Sequence, residues 1–266
     1  IGAGSGIGKA TCHRLLKEGA HVVCADFDSS SSAKTADELV QKVGLGIGVA
    51  GTDLSSCGPT LARTVNMTDR DSVHCLFNDV VLAYGGMDTL IVTAGIFFPP
   101  DDAGRISDSQ WRQTYDVNVI GPAMVAEEAQ QVWLRQGLPA NLILTSSVNA
   151  TVSKAGSLAY DSSKAALNHL VRELAIQLAP LVRVNALAPA TVVTGSSMFP
   201  RERVISSLAK YQLPFNEEED TETLRDRLAT FYAQRTLLKT EISADHQAEA
   251  LFLMASERLS RTTGQL

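Results

Sequence analysis

The opening residues, IGAGSGIG, set Gly2, Gly6 and Gly8 in a GxxxGxG pattern that few folds can use. Glycine permits a tight turn and lets backbone N–H groups come close to a ligand. A helical pattern follows through Ala10, Leu15 and Leu16, and the next run, His21 to Ala25, reads as a strand ending in Asp26. A glycine turn feeding a helix presents the amides around Ser5, Gly6, Ile7 and Gly8 to a pyrophosphate at the positive end of the helix. Asp26 stands eighteen residues after Gly8. A carboxylate there accepts hydrogen bonds from both ribose hydroxyls of an adenosine and repels a 2′-phosphate. With Asp28 close by and no arginine in the vicinity, NAD is favoured over NADP.

A phosphate loop needs a strand leading into it, so residues before Ile1 are expected, and TTGQL at 262 to 266 reads as the entry to a last strand. Between those ends, strand and helix patterns alternate. Residues 33 to 43 read as a helix, and Gly44 to Arg63, rich in glycine, serine and threonine, as a loop of marginal structure. A short strand ending at Asn66 and Met67 precedes a helix capped by Thr68 or Asp69. Leu90 to Val92 reads as a buried strand running into Thr93, Ala94 and Gly95, and Leu142 to Leu144 as another. Such alternation implies an α/β fold, a doubly wound parallel sheet with its ligand at the carboxyl ends of the strands. At 266 residues, one domain is expected.

The segment from Thr145 to Lys164 carries the chemistry. Tyr160 and Lys164 are four apart and share one face of a helix, with Ser147 thirteen residues before the tyrosine. An ammonium held near a phenol favours the phenolate and lowers its pKa, so Tyr160 could exchange a proton with an alcohol. Ser147 could hold the alcohol or carbonyl oxygen against it. Upstream, a long helix from about Ser107 to Gln136 contains DVNVIGP. Pro122 has no N–H for the carbonyl of Asn118, which predicts a kink and a carbonyl able to bind a water. That water could link Lys164 to solvent; a proline merely tolerated at a bend predicts the kink without the relay.

VRVNALAPATVVT, 182 to 194, is a strand followed by Pro189, Val192 and Thr194, and about 195–240 reads as two amphipathic helices joined by the acidic NEEED run, a helical lid over the substrate. The acidic run is expected to solvate and to start a helix. A final helix covers about Ala244 to Ser256.

The net charge of −6 and the lack of a basic run argue against nucleic acid as partner, and no apolar stretch is long enough for a bilayer. Cys12, Cys24, Cys57 and Cys75 form no CxxC, and the five histidines form no metal motif; free, buried thiols and a cytoplasmic location are expected.

Taken together, the glycine motif, Asp26, Ala94 and Gly95, Asn118, Ser147, the YxxxK pair and the PxxVxT of Pro189 to Thr194 resemble the short-chain dehydrogenase/reductase family over essentially the whole chain. The resemblance implies a Rossmann-type fold and a tetrad of Asn118, Ser147, Tyr160 and Lys164, with Tyr160 and Lys164 also touching the cofactor. It implies that Asn66 and Met67 border the adenine, that Val192 and Thr194 hold the nicotinamide carboxamide, and that a homodimer or homotetramer forms through helix pairs. Ile1 stands where a threonine is usual, Asn66 for an aspartate, Val92 and Thr93 for two asparagines, and Ala190 for a glycine. The stretch from 232 to 265 is similar to the dehydrogenase half of bifunctional proteins that join a rhamnulose-1-phosphate aldolase to a lactaldehyde dehydrogenase, so a preceding aldolase domain is an expectation too. The expected reaction is hydride transfer between NAD and a small alcohol, aldehyde or ketone, with lactaldehyde the specific candidate. The alternatives are a reductase of a larger sugar, steroid or acyl-chain carbonyl, and a non-catalytic NAD-binding redox sensor.

Overall fold

A computed structural model describes residues 1–43 and 59–266. Strand β1 (Val22–Asp26) pairs in parallel with β2 (Thr60–Thr64), Val22 opposite Thr60 and Asp26 opposite Thr64. Strands β3 (Thr89–Val92), β4 (Ala140–Thr145) and β5 (Val182–Leu187) form a second parallel ladder in that order. Residues 1 and 2 tie the ladders at their carboxyl ends: Gly2 N–H donates to the Ala25 carbonyl (2.9 Å), and Thr93 N–H to that of Ile1 (2.8 Å). At the far edge, Gly264 N–H donates to the Val184 carbonyl and Ala186 N–H to that of Gln265, so residues 264 and 265 lie beside β5.

Every residue of β4 is buried, as a central strand covered on both faces requires. Leu142, Ile143 and Leu144 are fully enclosed, and at roughly 1.5–3 kcal/mol for each such side chain this strand anchors the main core. Helices α1 (Gly6–Lys17), α2 (Ser29–Val43) and α9 (Ala244–Ala255) pack together as one group. In the other group, α3 (Arg70–Tyr84) lies on α5 (Gly121–Gln136), which touches α6 (Leu158–Leu178). The α3 helix starts at Asp69, whose side chain accepts from Asp71 N–H, and stops at Gly85 in the left-handed region (φ +79°).

Three expectations need correction. The glycine-rich composition predicts a loop through Arg63, yet Thr60–Thr64 is a strand; residues 44–58 of that stretch, with Cys57, lie outside the described residues. Pairing with β1 overrides the local composition there. The single helix from Ser107 is α4 (Asp108–Tyr115), a π turn (Asp116–Ile120) and then α5, so Pro122 is accommodated by widening the helix rather than by a simple kink. Cys12 and Cys24 are buried thiols, but Cys75 is exposed on the outer face of α3.

The segment 195–240 forms α7 (Arg201–Lys210) and α8 (Thr221–Ala233), which share a core of their own around Phe199, Val204, Leu208, Leu224 and Leu228. The acidic run does start a helix: Asp220 caps α8 by accepting from Thr223 N–H (3.0 Å), and Glu219 pairs with Arg227. Among the described residues, no helix is long and apolar enough to cross a membrane.

Candidate active site

Ser147 leaves the end of β4 and caps a short turn, accepting from Asn149 N–H (3.2 Å). Tyr160 stands in the first turn of α6 with the Ser147 hydroxyl near enough to its phenol to favour the phenolate, and Lys164 follows one turn later. The Lys164 ammonium, 3% exposed, donates to the Thr145 carbonyl (2.8 Å) and lies 5.8 Å from the centre of the Tyr160 ring. Asn118 reaches the same place from the π turn. Its Oδ1 accepts from Ile96 N–H (2.9 Å), and its Nδ2 donates to the Ile96 carbonyl and to Ser163 Oγ, both at 3.0 Å. Gly95 closes the group: a Cβ on it would stand 3.3 Å from Asn118 Oδ1 and 3.4 Å from Lys164 Nζ. Asn118, Ser147, Tyr160 and Lys164, scattered through the sequence, are thus one cluster at the carboxyl ends of β3 and β4.

The electrostatics differ from the sequence expectation. Burial raises the Tyr160 phenol above its usual value near 10, opposed by the Ser147 hydroxyl and the charge of Arg203, and Lys164 contributes no lowering. The reason is that burial lowers Lys164 itself from 10.5 to about 8. The lysine therefore sheds its proton before the phenol ionises. The unfolded chain holds that proton more tightly, so the stability Lys164 contributes is greatest above pH 10.5 and is lost as pH falls through about 8. Relative to Lys164→Met, the ligand-free protein should gain roughly 3 kcal/mol between about pH 7 and pH 11, read from denaturant titrations at the two values. A flat difference would mean that the ammonium keeps its ordinary pKa.

The glycine loop abuts this cluster. Gly2 (φ +93°) lies so close to Ala94 that a Cβ would meet its amide nitrogen at 2.5 Å, and Gly8 packs on the Gly2 carbonyl. Helix α1 has no side-chain cap, because Ser5 Oγ bonds Ser197 Oγ (2.9 Å) instead. Gly6 N–H donates to the Gly195 carbonyl, which leaves the first-turn amides of Ile7 and Gly8 uncapped, a donor set suited to an anionic pyrophosphate. Asp26 accepts from Gly4 N–H (2.8 Å) and Asp28 N–H (3.0 Å), one bond per carboxylate oxygen, so lone pairs remain for ribose hydroxyls. These residues fit a dinucleotide. The others are placed less directly. Asn66 Oδ1 accepts from Thr68, which leaves its Nδ2 to face an adenine, while the Met67 side chain is in the core against Gly121 and could border one only through its backbone. Val192 is buried, the Pro189 carbonyl accepts from Val148 N–H, and Thr194 Oγ1 donates to Glu241 (2.7 Å).

The sequence model of the short chain dehydrogenase family matches residues 1–204. The chain belongs to this family. Its members are NAD(P)-dependent oxidoreductases of alcohol and carbonyl groups. It is 31% identical to a glucose 1-dehydrogenase of Gluconobacter oxydans over 199 residues, covering 74% of this chain and 69% of that protein. It is also 29% identical to the uncharacterized oxidoreductase YuxG of Bacillus subtilis, over 99% of this chain but only 35% of that relative's length. In three dimensions it is similar to sorbitol-6-phosphate 2-dehydrogenase from Erwinia amylovora, with a TM-score of 0.83, 21% identity, and coverage of 100% of this chain and 94% of that one. That likeness concerns the fold.

Three further residues stand around the cluster. Asp161 holds the loop before α6, accepting from Asn149 Nδ2 (2.8 Å) and Lys154 N–H (3.2 Å). Phe97 stands edge-on to the Tyr160 ring at 5.6 Å, and Arg203 of the lid lies over Phe97. A carboxylate beside YxxxK hinted at the first; the other two meet only through the tertiary fold.

Proposed function

We propose that this chain transfers a hydride between NAD and a small alcohol or the corresponding aldehyde or ketone. The observation that carries the reading is the convergence of Asn118, Ser147, Tyr160 and Lys164 beside the uncapped start of α1. Tyr160 takes the hydroxyl proton as the alcohol is oxidised, or returns it to the oxygen as the carbonyl is reduced. Ser147 orients that oxygen. Lys164, with its pKa near 8, is the next proton holder behind the phenol, and Asn118, locked to Ile96 and Ser163, sustains a water path to solvent. Bound NAD supplies the hydride acceptor; Ser5 to Gly8 would hold its pyrophosphate, Asp26 its ribose, Ala94 and Gly95 the wall beside it, and Pro189, Val192 and Thr194 its nicotinamide end. A homodimer or homotetramer belongs to the same reading, supported by Leu134 of α5 and Ile176 of α6, both exposed.

The test is NADH absorbance with purified protein, NAD or NADP, and a panel of lactaldehyde, small diols and sugars. Turnover with NAD supports the reading, and lactaldehyde among the good substrates would also favour the lactaldehyde dehydrogenase likeness. Cofactor binding with no turnover would shift the reading to a redox sensor. Asp26 governs cofactor choice: Asp26→Ser should lower kcat/KM for NAD by about 10- to 100-fold, the worth of hydrogen bonds to a charged group, and narrow the gap to NADP. An unchanged NAD preference would remove Asp26 from the ribose site.

A further inference from the structure

The lid carries a cation to the catalytic face and provides no anion to meet it. Arg203, in the first turn of α7, places its guanidinium carbon 4.0 Å from the Phe97 ring centre and 4.4 Å from that of Phe199. Phe97 itself rests on Tyr160, so the cation sits one ring away from the phenol and its charge acts on it. One guanidinium N–H donates to the Met198 carbonyl (2.6 Å). Among the described residues Arg203 forms no ion pair, whereas Arg225 and Arg227 on the same lid hold Glu222 and Glu219. The two flanking rings strip water from the planar group, and burial accordingly lowers its pKa. A half-buried guanidinium with five donors and a single carbonyl partner is suited to bidentate binding of an oxyanion.

A second cation, Lys154, precedes α6 on the loop pinned by Asp161; burial lowers its pKa, with Arg203 and Lys210 lowering it further and Tyr211 and Asp161 raising it. The Asp161 carboxylate already binds Asn149 and the Lys154 amide.

We propose that Arg203 is a substrate-binding residue, and that the substrate is a small alcohol or carbonyl compound bearing a carboxylate or a phosphate. This rests on the hydride-transfer reading above. The bland role for Arg203 is a latch, its stacking on Phe97 and Phe199 fastening the lid.

The deciding experiment uses matched neutral and anionic pairs, diols against 2-hydroxy acids and sugars against sugar phosphates, with wild type, Arg203→Gln and Arg203→Lys. The anionic member should be preferred at least tenfold in kcat/KM. Arg203→Gln should raise its KM by about 10- to 100-fold with kcat little changed and leave the neutral member alone, and Arg203→Lys should restore part of the affinity. Whether the hydroxy acid or the sugar phosphate carries the preference identifies the oxyanion. Equal kcat/KM within the pairs, or an equal loss for both members in Arg203→Gln, would overturn the assignment in favour of the latch. Calorimetric titration of the NAD-loaded protein with the same pairs reads the anion preference without turnover. Anion-selective binding lost in Arg203→Gln, with no turnover, would sustain the site while the hydride-transfer reading fails; unselective turnover would do the reverse.

Discussion

Tyr160→Phe is expected to lower kcat by about 100- to 10,000-fold, the range a positioned proton donor supplies, while NADH binding changes little. The substitution removes one oxygen and keeps the ring, so the edge contact with Phe97 and the start of α6 persist. What is lost is the proton carrier between the substrate oxygen and Lys164. Neither neighbour replaces it directly. The Ser147 hydroxyl is a weak acid and a weak base, and the Lys164 ammonium is turned to the Thr145 carbonyl at 2.8 Å. The check is steady-state turnover against NADH fluorescence titration on the same preparation. Near-normal kcat in the variant would remove Tyr160 from the chemistry, and lost NADH binding would show that the phenol serves the cofactor instead.

The direction of the Tyr160 shift separates what the sequence reveals from what it hides. An i, i+4 pair is legible because helix geometry fixes it. That Lys164 is buried, drawn to Thr145, and near pKa 8 depends on β4 and α6 closing around it, and this reverses the expected effect on the phenol. The same contrast runs through the fold. Strands β1, β3, β4 and β5 appear as apolar runs because central strands are covered on both faces. The strand Thr60–Thr64 was hidden by a polar composition that only its pairing with β1 outweighs. Pro122 marks where a helical bond is lost, but the π turn also needs the Asn118 side chain drawn to Ile96 and Ser163, and those partners come from other segments. Arg203 was legible as part of an amphipathic helix and not as a group beside the catalytic face, since Phe97 lies on a distant loop after β3.

Among the described glycines, Gly8→Ala is expected to be the most damaging single methyl group. Its Cβ would stand 2.0 Å from the Gly2 carbonyl oxygen, 2.7 Å from that carbonyl carbon and 2.5 Å from Thr93 Oγ1. A flexible side chain could swing aside; a backbone carbonyl cannot move without its peptide. Gly2 is held in the left-handed region at φ +93°, its N–H bonded to Ala25 and its carbonyl to Thr93 Oγ1 (3.2 Å). Relief therefore opens the bridge between the two strand ladders and displaces the start of α1 together. The stability loss should be about 1–3 kcal/mol, as for overpacking elsewhere, and NADH affinity should fall at least about tenfold because the amides that face the pyrophosphate move with the loop. Gly19→Ala is the matched control. Unlike the helical Gly8 it has a positive φ, +86°, but a Cβ there meets nothing within 4 Å and lies past the far end of α1. It should cost about 1 kcal/mol from backbone conformation alone and leave NADH affinity unchanged. Denaturant titration and NADH fluorescence on both variants separate strain from loop geometry. If Gly8→Ala bound NADH like Gly19→Ala, close packing of Gly8 on Gly2 would be a stability device and the cofactor would be held by other residues.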